Sequence, residues 1–419
     1  MTAPADRPAF GPVRTCQICG SAPLSTVLDL GHQPPVHAHL TEESVRGPET
    51  SFPLRLVRCA DCGLLQIDYI PDPKVVFPDD YPYHTGMTNM LIRACGDLAD
   101  RIVAQYSLGS SDLVVDIGSN DGTLLDAFRK HGVKVLGIEP TNVAKVANSR
   151  GIETEQAFFD PKLASTLVAS HGRAKIITAT NVFAHIADPY GTLEGVKTLL
   201  ADDGAFVSES QYLMDIVEKL EFDTIYHEHL RFYALKPMIR MFERAGMTLT
   251  DAERVTSAGG SIRVTARPGS HEPSARVAEL IHEEERAGLY DPARLETFAG
   301  RSQSAKRHLL ALLLEAKEEG ARIVGLGAPA RSNTLLCYAG IDGDILDYAA
   351  ERTGSPKIGL FTPGMHLPVV DERRILDEQP EYTLLLSWHI GEELAKKLRS
   401  LGYRGKFIMP LPEPRILDI

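Results

Sequence analysis

Two CxxC pairs, Cys16-Gln17-Ile18-Cys19 and Cys59-Ala60-Asp61-Cys62, constrain this chain more than any other feature. A glycine follows each pair, Gly20 and Gly63, and lets backbone amides turn toward the sulfurs. Each pair sets two thiols at the tip of a tight turn. Two such turns supply four thiolates, the set that Zn²⁺ takes in a closed tetrahedral site. The 39 residues between the pairs must return to the same point, so a loop-rich module is expected. Four sulfurs leave no open position, so the expected metal is a structural Zn²⁺ on Cys16, Cys19, Cys59 and Cys62. Cys95 and Cys337 stand alone and read as small apolar residues. His32, His37 and His39 lie between the pairs and read as solvated or substrate-facing loop histidines.

Paired thiols read as a metal site before a disulfide in a reducing compartment. The N-terminal residues show no apolar signal segment, and no apolar run reaches the ~18 residues of a membrane span. A cytoplasmic protein with no membrane partner is therefore expected. The net charge of −12 argues against coating nucleic acid through bulk charge, though it permits a local basic pocket. With 43% hydrophobic residues over 419 positions, the chain has core enough for two or three domains.

Residues 1–75 form the expected zinc module, thin in apolar residues and dependent on its metal. From 76 to 270, strands alternate with helices. Leu91–Tyr106 reads as a helix, Asp112–Ile117 as a buried parallel strand, Thr123–His131 as a helix and Lys134–Glu139 as a strand. Strands at Lys175–Ala179 and Gly204–Ser208 continue the series, and Met247–Arg254 with Ser261–Ala266 reads as a closing antiparallel pair. After a charged helical stretch, 271–419 carries a second series, with strands at Arg322–Gly325, Ile345–Ala349, Pro368–Val370, Tyr382–Leu386 and Lys406–Ile408. The fold class is α/β: a doubly wound domain, a second Rossmann-like domain and the small N-terminal module.

The run Val114-Val115-Asp116-Ile117-Gly118-Ser119-Asn120-Asp121-Gly122-Thr123 is a strand, a tight turn and a helix start. Its GxxxG spacing is neither the dinucleotide fingerprint nor a phosphate-binding P-loop. Glu139 ends the next strand, where a carboxylate can accept both ribose hydroxyls of a nucleoside. A nicotinamide dinucleotide or a ligand-free Rossmann turn remains open at this level. The arrangement resembles motif I of class I S-adenosylmethionine (SAM) methyltransferases. The resemblance implies that Asp116, Gly118, Asn120, Asp121 and Gly122 cradle the cofactor's amino-acid part and Glu139 its ribose. Asn181 would form another wall, with Phe159 and Asp160 about the adenine.

The densest chemical segment is Glu221-Phe222-Asp223-Thr224-Ile225-Tyr226-His227-Glu228-His229-Leu230. HExxH zinc spacing is absent. In a strand, Tyr226 and Glu228 would face opposite to His227 and His229, whereas in an irregular loop all four could converge. A neutral histidine beside a carboxylate suits a general base near pH 7. The alternative is a helix start bearing exposed polar groups.

The cysteine module, the VDIGSNDG turn, EFDTIYHEHL, Asn333-Thr334-Leu335-Leu336 and Thr362-Pro363-Gly364-Met365-His366-Leu367-Pro368 occur together. In this the chain resembles the sugar C-methyltransferases of deoxysugar biosynthesis, which methylate a carbon of a nucleotide-linked keto sugar. The resemblance spans almost the whole chain. It implies SAM and structural zinc as cofactors and a dTDP- or GDP-linked 4-keto-6-deoxyhexose as partner, methylated at C-3. C-5, or another keto substrate, is the alternative. It assigns His229 as base, with Tyr226, His227 and Glu228 orienting it or touching substrate. Tyr81 would reach the sugar, Tyr83 would lie near SAM, and His185 would contact the keto oxygen. In the C-terminal domain, Arg331, Ser332, Asn333, Lys357, Thr362 and His366 become candidate contacts to diphosphate and sugar. Arg331 and Lys357 would supply the local positive charge. A monomer or weak homo-oligomer is expected.

The turn Gly325-Leu326-Gly327-Ala328-Pro329-Ala330 meets GxGxxA, which leaves a nicotinamide-dependent oxidoreductase as the reading from another class. Pro329, however, lacks an amide where a pyrophosphate wants donors. Members of the family it resembles usually have Lys-Gly at Arg331-Ser332, often Trp-Asn at Trp388-His389 and commonly His at Ala258. These departures bear on the sugar and nucleotide, and leave the reaction type standing.

Overall fold

The computed structural model describes residues 10–419 apart from 79, 80, 82, 83 and 88, and describes residues 87, 89 and 258 by their backbone. Tyr83 thus lies outside the described residues.

A seven-stranded sheet forms the centre. Its order is Met247–Val255, Ser261–Pro268, Leu200–Gln211, Ala174–Thr180, Leu113–Ile117, Lys134–Ile138 and Thr154–Glu155. All pairs are parallel except those of Ser261–Pro268, which runs against both neighbours. Leu113–Ile117 (LVVDI) is buried throughout, as a strand covered on both faces must be. Chain order runs outward from it in one direction, then restarts on its other side with Ala174–Thr180. The crevice therefore opens above the carboxyl ends of these two strands, at Gly118 and Asn181. Helices Pro161–His171 and Pro189–Leu199 start beside it, each with proline in the first turn. Each is capped by a carboxylate: Asp160 accepts from Leu163 N at 2.7 Å and Asp188 from Gly191 N at 3.0 Å.

The N-terminal module has more sheet than expected. Leu24–Gln33, Phe52–Cys59 and Leu65–Ile67 pair antiparallel, and a fourth strand, Arg231–Phe232, joins them from far downstream. Leu28, Leu30, Leu54 and Leu56 make its core, which is continuous with that of the central sheet. Sharing that core is why so small a module can hold strands of ten and eight residues.

The C-terminal sheet runs Val369–Asp371, Ala349–Glu351, Ile323–Leu326, Tyr382–Leu385, Lys406–Met409, Arg415–Leu417, parallel except at its last strand. The strand expected at Ile345 begins at Ala349, because Ile345 and Leu346 turn back on Asp342 O. Helix Pro292–Glu318 leads into this sheet. Among the described residues, no helix is long and apolar enough to cross a membrane.

Candidate active site

The four paired cysteines converge. Their sulfurs lie within 4.8 Å of one another, with Cys16–Cys62 and Cys19–Cys59 each at 3.4 Å. Tetrahedral zinc with Zn–S near 2.3 Å needs sulfur separations of about 3.8 Å, so the set fits the ion with little adjustment. The amides of Ile18 and Cys19 both point at Cys16 Sγ, at 3.4 Å.

A cavity of about 390 Å³ lies over the carboxyl ends of the central strands. Gly118, Asn120, Glu139, Phe159, Asp160, Asn181, Tyr81 and His185 line it. Gly118 has φ +70°, and a Cβ there would overlap Val182 in the cavity wall, so only glycine leaves the cradle open. Glu139 accepts from Asn120 N at 3.0 Å and from Thr141 N and Oγ1 at 2.9 and 2.7 Å. These bonds aim its carboxylate and leave lone pairs for ribose hydroxyls. The residues present thus fit SAM.

Three expected cofactor contacts stand elsewhere. Asp116 is buried, accepts from Thr178 Oγ1 at 2.6 Å and does not line the cavity; burial lifts its carboxyl to about 7. Asp121 accepts from Gly86 N at 2.9 Å and Thr123 Oγ1 at 2.6 Å. Gly122 caps helix Thr123–Lys130 and packs on Ile152. Asn120 Oδ1 accepts from Thr85 N at 2.7 Å, so this turn also pins the segment that covers it.

The Tyr-His-Glu-His segment is irregular. His229 N bonds Tyr226 O at 2.9 Å, and the turn lays the Tyr226 and His229 rings together at 4.1 Å. His229 Nδ1 is 2.6 Å from Thr224 O. A carbonyl only accepts, so the proton sits on Nδ1 and Nε2 carries the lone pair. Burial brings this imidazole down to about 4, although the Thr224 bond pulls the other way. His185 lies 5.1 Å from His229 and stacks on Phe77 at 5.8 Å. Burial, with His229 beside it, lowers its pKa well below the usual histidine value. His185 and Asn181 line both the large cavity and a small one that touches His229.

Glu228 faces a different neighbourhood. Tyr81 donates to Glu228 Oε2 at 3.1 Å, and His37 Nε2 is 3.6 Å from Oε1. Burial pushes the Glu228 carboxyl up to about 8. His227 turns away, with Nε2 on Pro53 O at 3.2 Å and its ring against Phe52.

The C-terminal candidates divide. Lys357 is half-buried, donates to Ala328 O at 2.6 Å, and is near enough to Glu228 and His37 to act on both electrostatically. Asn333 Nδ2 bonds Val36 O at 2.7 Å, leaving its buried Oδ1 without a partner. Ser332 bonds Pro329 O, and Thr362 Oγ1 accepts from Leu367 N at 3.0 Å. His366 pairs with Glu49 at 3.0 Å in a half-exposed loop. Arg331 departs from expectation. Its Nε and Nη2 fork onto Asp223, both at 2.8 Å, and it stacks 4.7 Å from the Trp388 ring. Its charge is matched inside the protein, so it is not the free cation expected for a diphosphate. At the GLGAPA turn, Ala328 N donates to Glu351 at 3.2 Å and Ala328 O accepts from Lys357, so the turn's own polar groups are engaged.

Sequence reasoning missed Ser208, Glu209, Ser210 and Gln211, which end a core strand yet are polar. Glu209 lines the cavity with Ser257 and Arg263, and Ser210 and Gln211 line the small cavity beside His229. A polar run closing an apolar parallel strand was the available signal. The Thr224 carbonyl had none.

Three family models match the chain: "Putative zinc binding domain" over 16–77, "Methyltransferase domain" over 88–252 and "C-methyltransferase C-terminal domain" over 256–412. The chain is 33% identical over 411 residues to C-methyltransferase NovU of Streptomyces niveus, covering 97% of each. Among solved structures, it is similar to a SAM-dependent methyltransferase of Clostridium acetobutylicum (12% identity, TM-score 0.34, 43% of this chain and 92% of that one). It is also similar to the CcbJ methyltransferase of Streptomyces caelestis (12% identity, TM-score 0.33, 42% and 90%).

Proposed function

The chain belongs to the C-methyltransferase family, and from that premise we propose that it methylates a carbon beside the ketone of a nucleotide-linked 4-keto-6-deoxyhexose, at C-3. Catalysis by a SAM-dependent methyltransferase with a zinc module is the frame for this reading. The observation that carries it is His229: a neutral imidazole whose Nδ1 is tied to Thr224 O, which leaves the ring's basic lone pair on Nε2.

A 4-keto group acidifies the neighbouring C–H. His229 Nε2 removes that proton, and the electron pair moves into an enolate. Glu228 keeps its own proton at neutral pH, so it can donate a hydrogen bond to the developing oxyanion. Tyr81, bonded to Glu228, helps orient it. His185, in the wall shared by the two cavities, separates the base from the cofactor's space and guides the sugar carbon toward it. Bound SAM supplies the electrophilic methyl that such a carbon nucleophile attacks. Lys357 is the best-placed cation for an anionic substrate, since Arg331 is held by Asp223.

The test is SAM turnover against dTDP- and GDP-linked 4-keto-6-deoxyhexoses, with the product methyl located by NMR. A methyl at C-5 would move the site of attack and keep the chemistry. His229→Ala is expected to lower methyl transfer roughly 10²–10⁴-fold while SAM affinity holds. Full activity in that variant would remove the base assignment.

A further inference from the structure

We propose that Glu209 and Arg263, with Ser257, form the subsite that anchors the zwitterionic amino-acid end of the cofactor. The inference rests on the cavity being the SAM site. The three residues line that cavity, where the Arg263 and Glu209 side chains are 12% and 6% exposed. Arg263 Nε lies 2.9 Å and Nη2 2.8 Å from Glu209 Oε2, and Ser257 Oγ donates to Oε1. Arg263 Nη1 is buried and has no partner. A guanidinium nitrogen left so is costly unless an acceptor arrives.

What arrives must suit an ion pair that is already neutral. A lone anion or cation would add net charge to a buried site. A zwitterion adds none: its carboxylate accepts from Arg263 Nη1, and its ammonium donates to the lone pairs remaining on Glu209. Among the described residues lining the cavity, His185 and Arg263 are the only basic ones, and burial holds His185 neutral. Arg263 is thus the cation available to a carboxylate. The carboxylate that the strand-end motif suggests, Asp116, is taken by Thr178 and lies outside the cavity wall.

The geometry agrees. Glu139, Gly118, Asn181 and Glu209 stand at the carboxyl ends of four neighbouring strands. Three strand spacings give roughly 14 Å from the ribose end to Glu209. An adenosine with an extended amino-acid tail, met by a long guanidinium side chain, covers that span.

The test is calorimetric and needs no sugar substrate, so it stands apart from the methylation reading. S-adenosylhomocysteine carries the zwitterion, whereas 5′-methylthioadenosine keeps adenine and ribose without it. In Arg263→Met and Glu209→Gln, affinity for S-adenosylhomocysteine is expected to fall about 10- to 100-fold, as for lost charge-assisted hydrogen bonds. Affinity for 5′-methylthioadenosine should not change. Unchanged S-adenosylhomocysteine binding, or equal weakening of both ligands, would overturn the proposal. Should the variants fail to fold, decarboxylated SAM on the unmodified protein decides it. A similar loss relative to SAM supports the subsite, and equal affinity overturns it. If neither nucleoside binds the unmodified protein, the cavity assignment itself is at fault.

Discussion

Arg231→Met tests whether the zinc module holds His185 and His229, the histidines proposed to act in catalysis, in place. Arg231 is 1% exposed, and its guanidinium spans three parts of the chain. Nη1 donates to Gln17 Oε1 at 2.6 Å, inside the first CxxC knuckle, and Nε donates to Tyr233 Oη at 3.0 Å. Nη2 donates to Phe183 O at 3.2 Å and to Ile186 O, the carbonyls on either side of His185. Methionine fills similar volume but donates nothing, so four acceptors, three buried and one part-buried, lose a donor. At the low end of about 1–3 kcal/mol for each unsatisfied group, the loss is about 4 kcal/mol. For a domain of this size, that lowers Tm by roughly 8–16 °C. Below the new transition, kcat should still fall about 10²-fold, because His185 and the nearby His229 lose their registration. Affinity for S-adenosylhomocysteine should be less affected. Thermal melting, single-turnover methyl transfer and ligand titration at low temperature measure the three effects. A Tm within about 3 °C of the parent, with kcat within about threefold, would refute the reasoning.

Two other outcomes follow from the same geometry. The pH profile of kcat/KM should be bell-shaped: activity falls as pH drops through about 4, where His229 gains a proton, and falls as pH rises through about 8, where Glu228 loses one. Glu228→Gln keeps a donor and should remove the upper limb, so an upper limb that survives would count against Glu228 as that group. Asp223→Ala leaves the buried Arg331 guanidinium with Glu221 at 3.7 Å in place of its two-pronged partner, and strands the Trp388 indole N–H, which lies 2.7 Å from Asp223. It should cost about 3–5 kcal/mol in urea unfolding, and a loss below about 1 kcal/mol would show the pair to be idle.

What the sequence revealed was local. Leu113–Ile117 is a continuous apolar run ending in glycine, and each cysteine pair closes its own turn, so both sites could be placed from neighbours alone. Alternation, by contrast, could not decide the fate of residues 226–229. The bond from His229 N to Tyr226 O makes a turn, where strand periodicity has no force. The remaining surprises are pairings across long separations. Arg331 meets Asp223 over 108 positions, and Arg263 meets Glu209 over 54. Arg331 looked like a phosphate ligand because its charge and the family resemblance were visible and its carboxylate partner was not.

The same long-range pairings tie the cysteine cluster to the candidate site. Zn²⁺ with four thiolates carries a net charge of −2, and cations surround it: Arg244 donates to Cys19 O at 3.2 Å, and Arg240 pairs with Asp61 at 2.9 Å. Arg231 is the most buried of these cations, and all four of its acceptors are neutral. A guanidinium so deep, with no carboxylate among those acceptors, needs negative charge from its surroundings. Gln17, the acceptor for Nη1, lies within the first CxxC knuckle itself. The strand Arg231–Phe232 then completes the module's sheet two residues after His229, and Ile67 N bonds Leu230 O at 3.1 Å. Knuckle, buried arginine and the proposed base therefore form one connected unit, and that unit is what Arg231→Met perturbs.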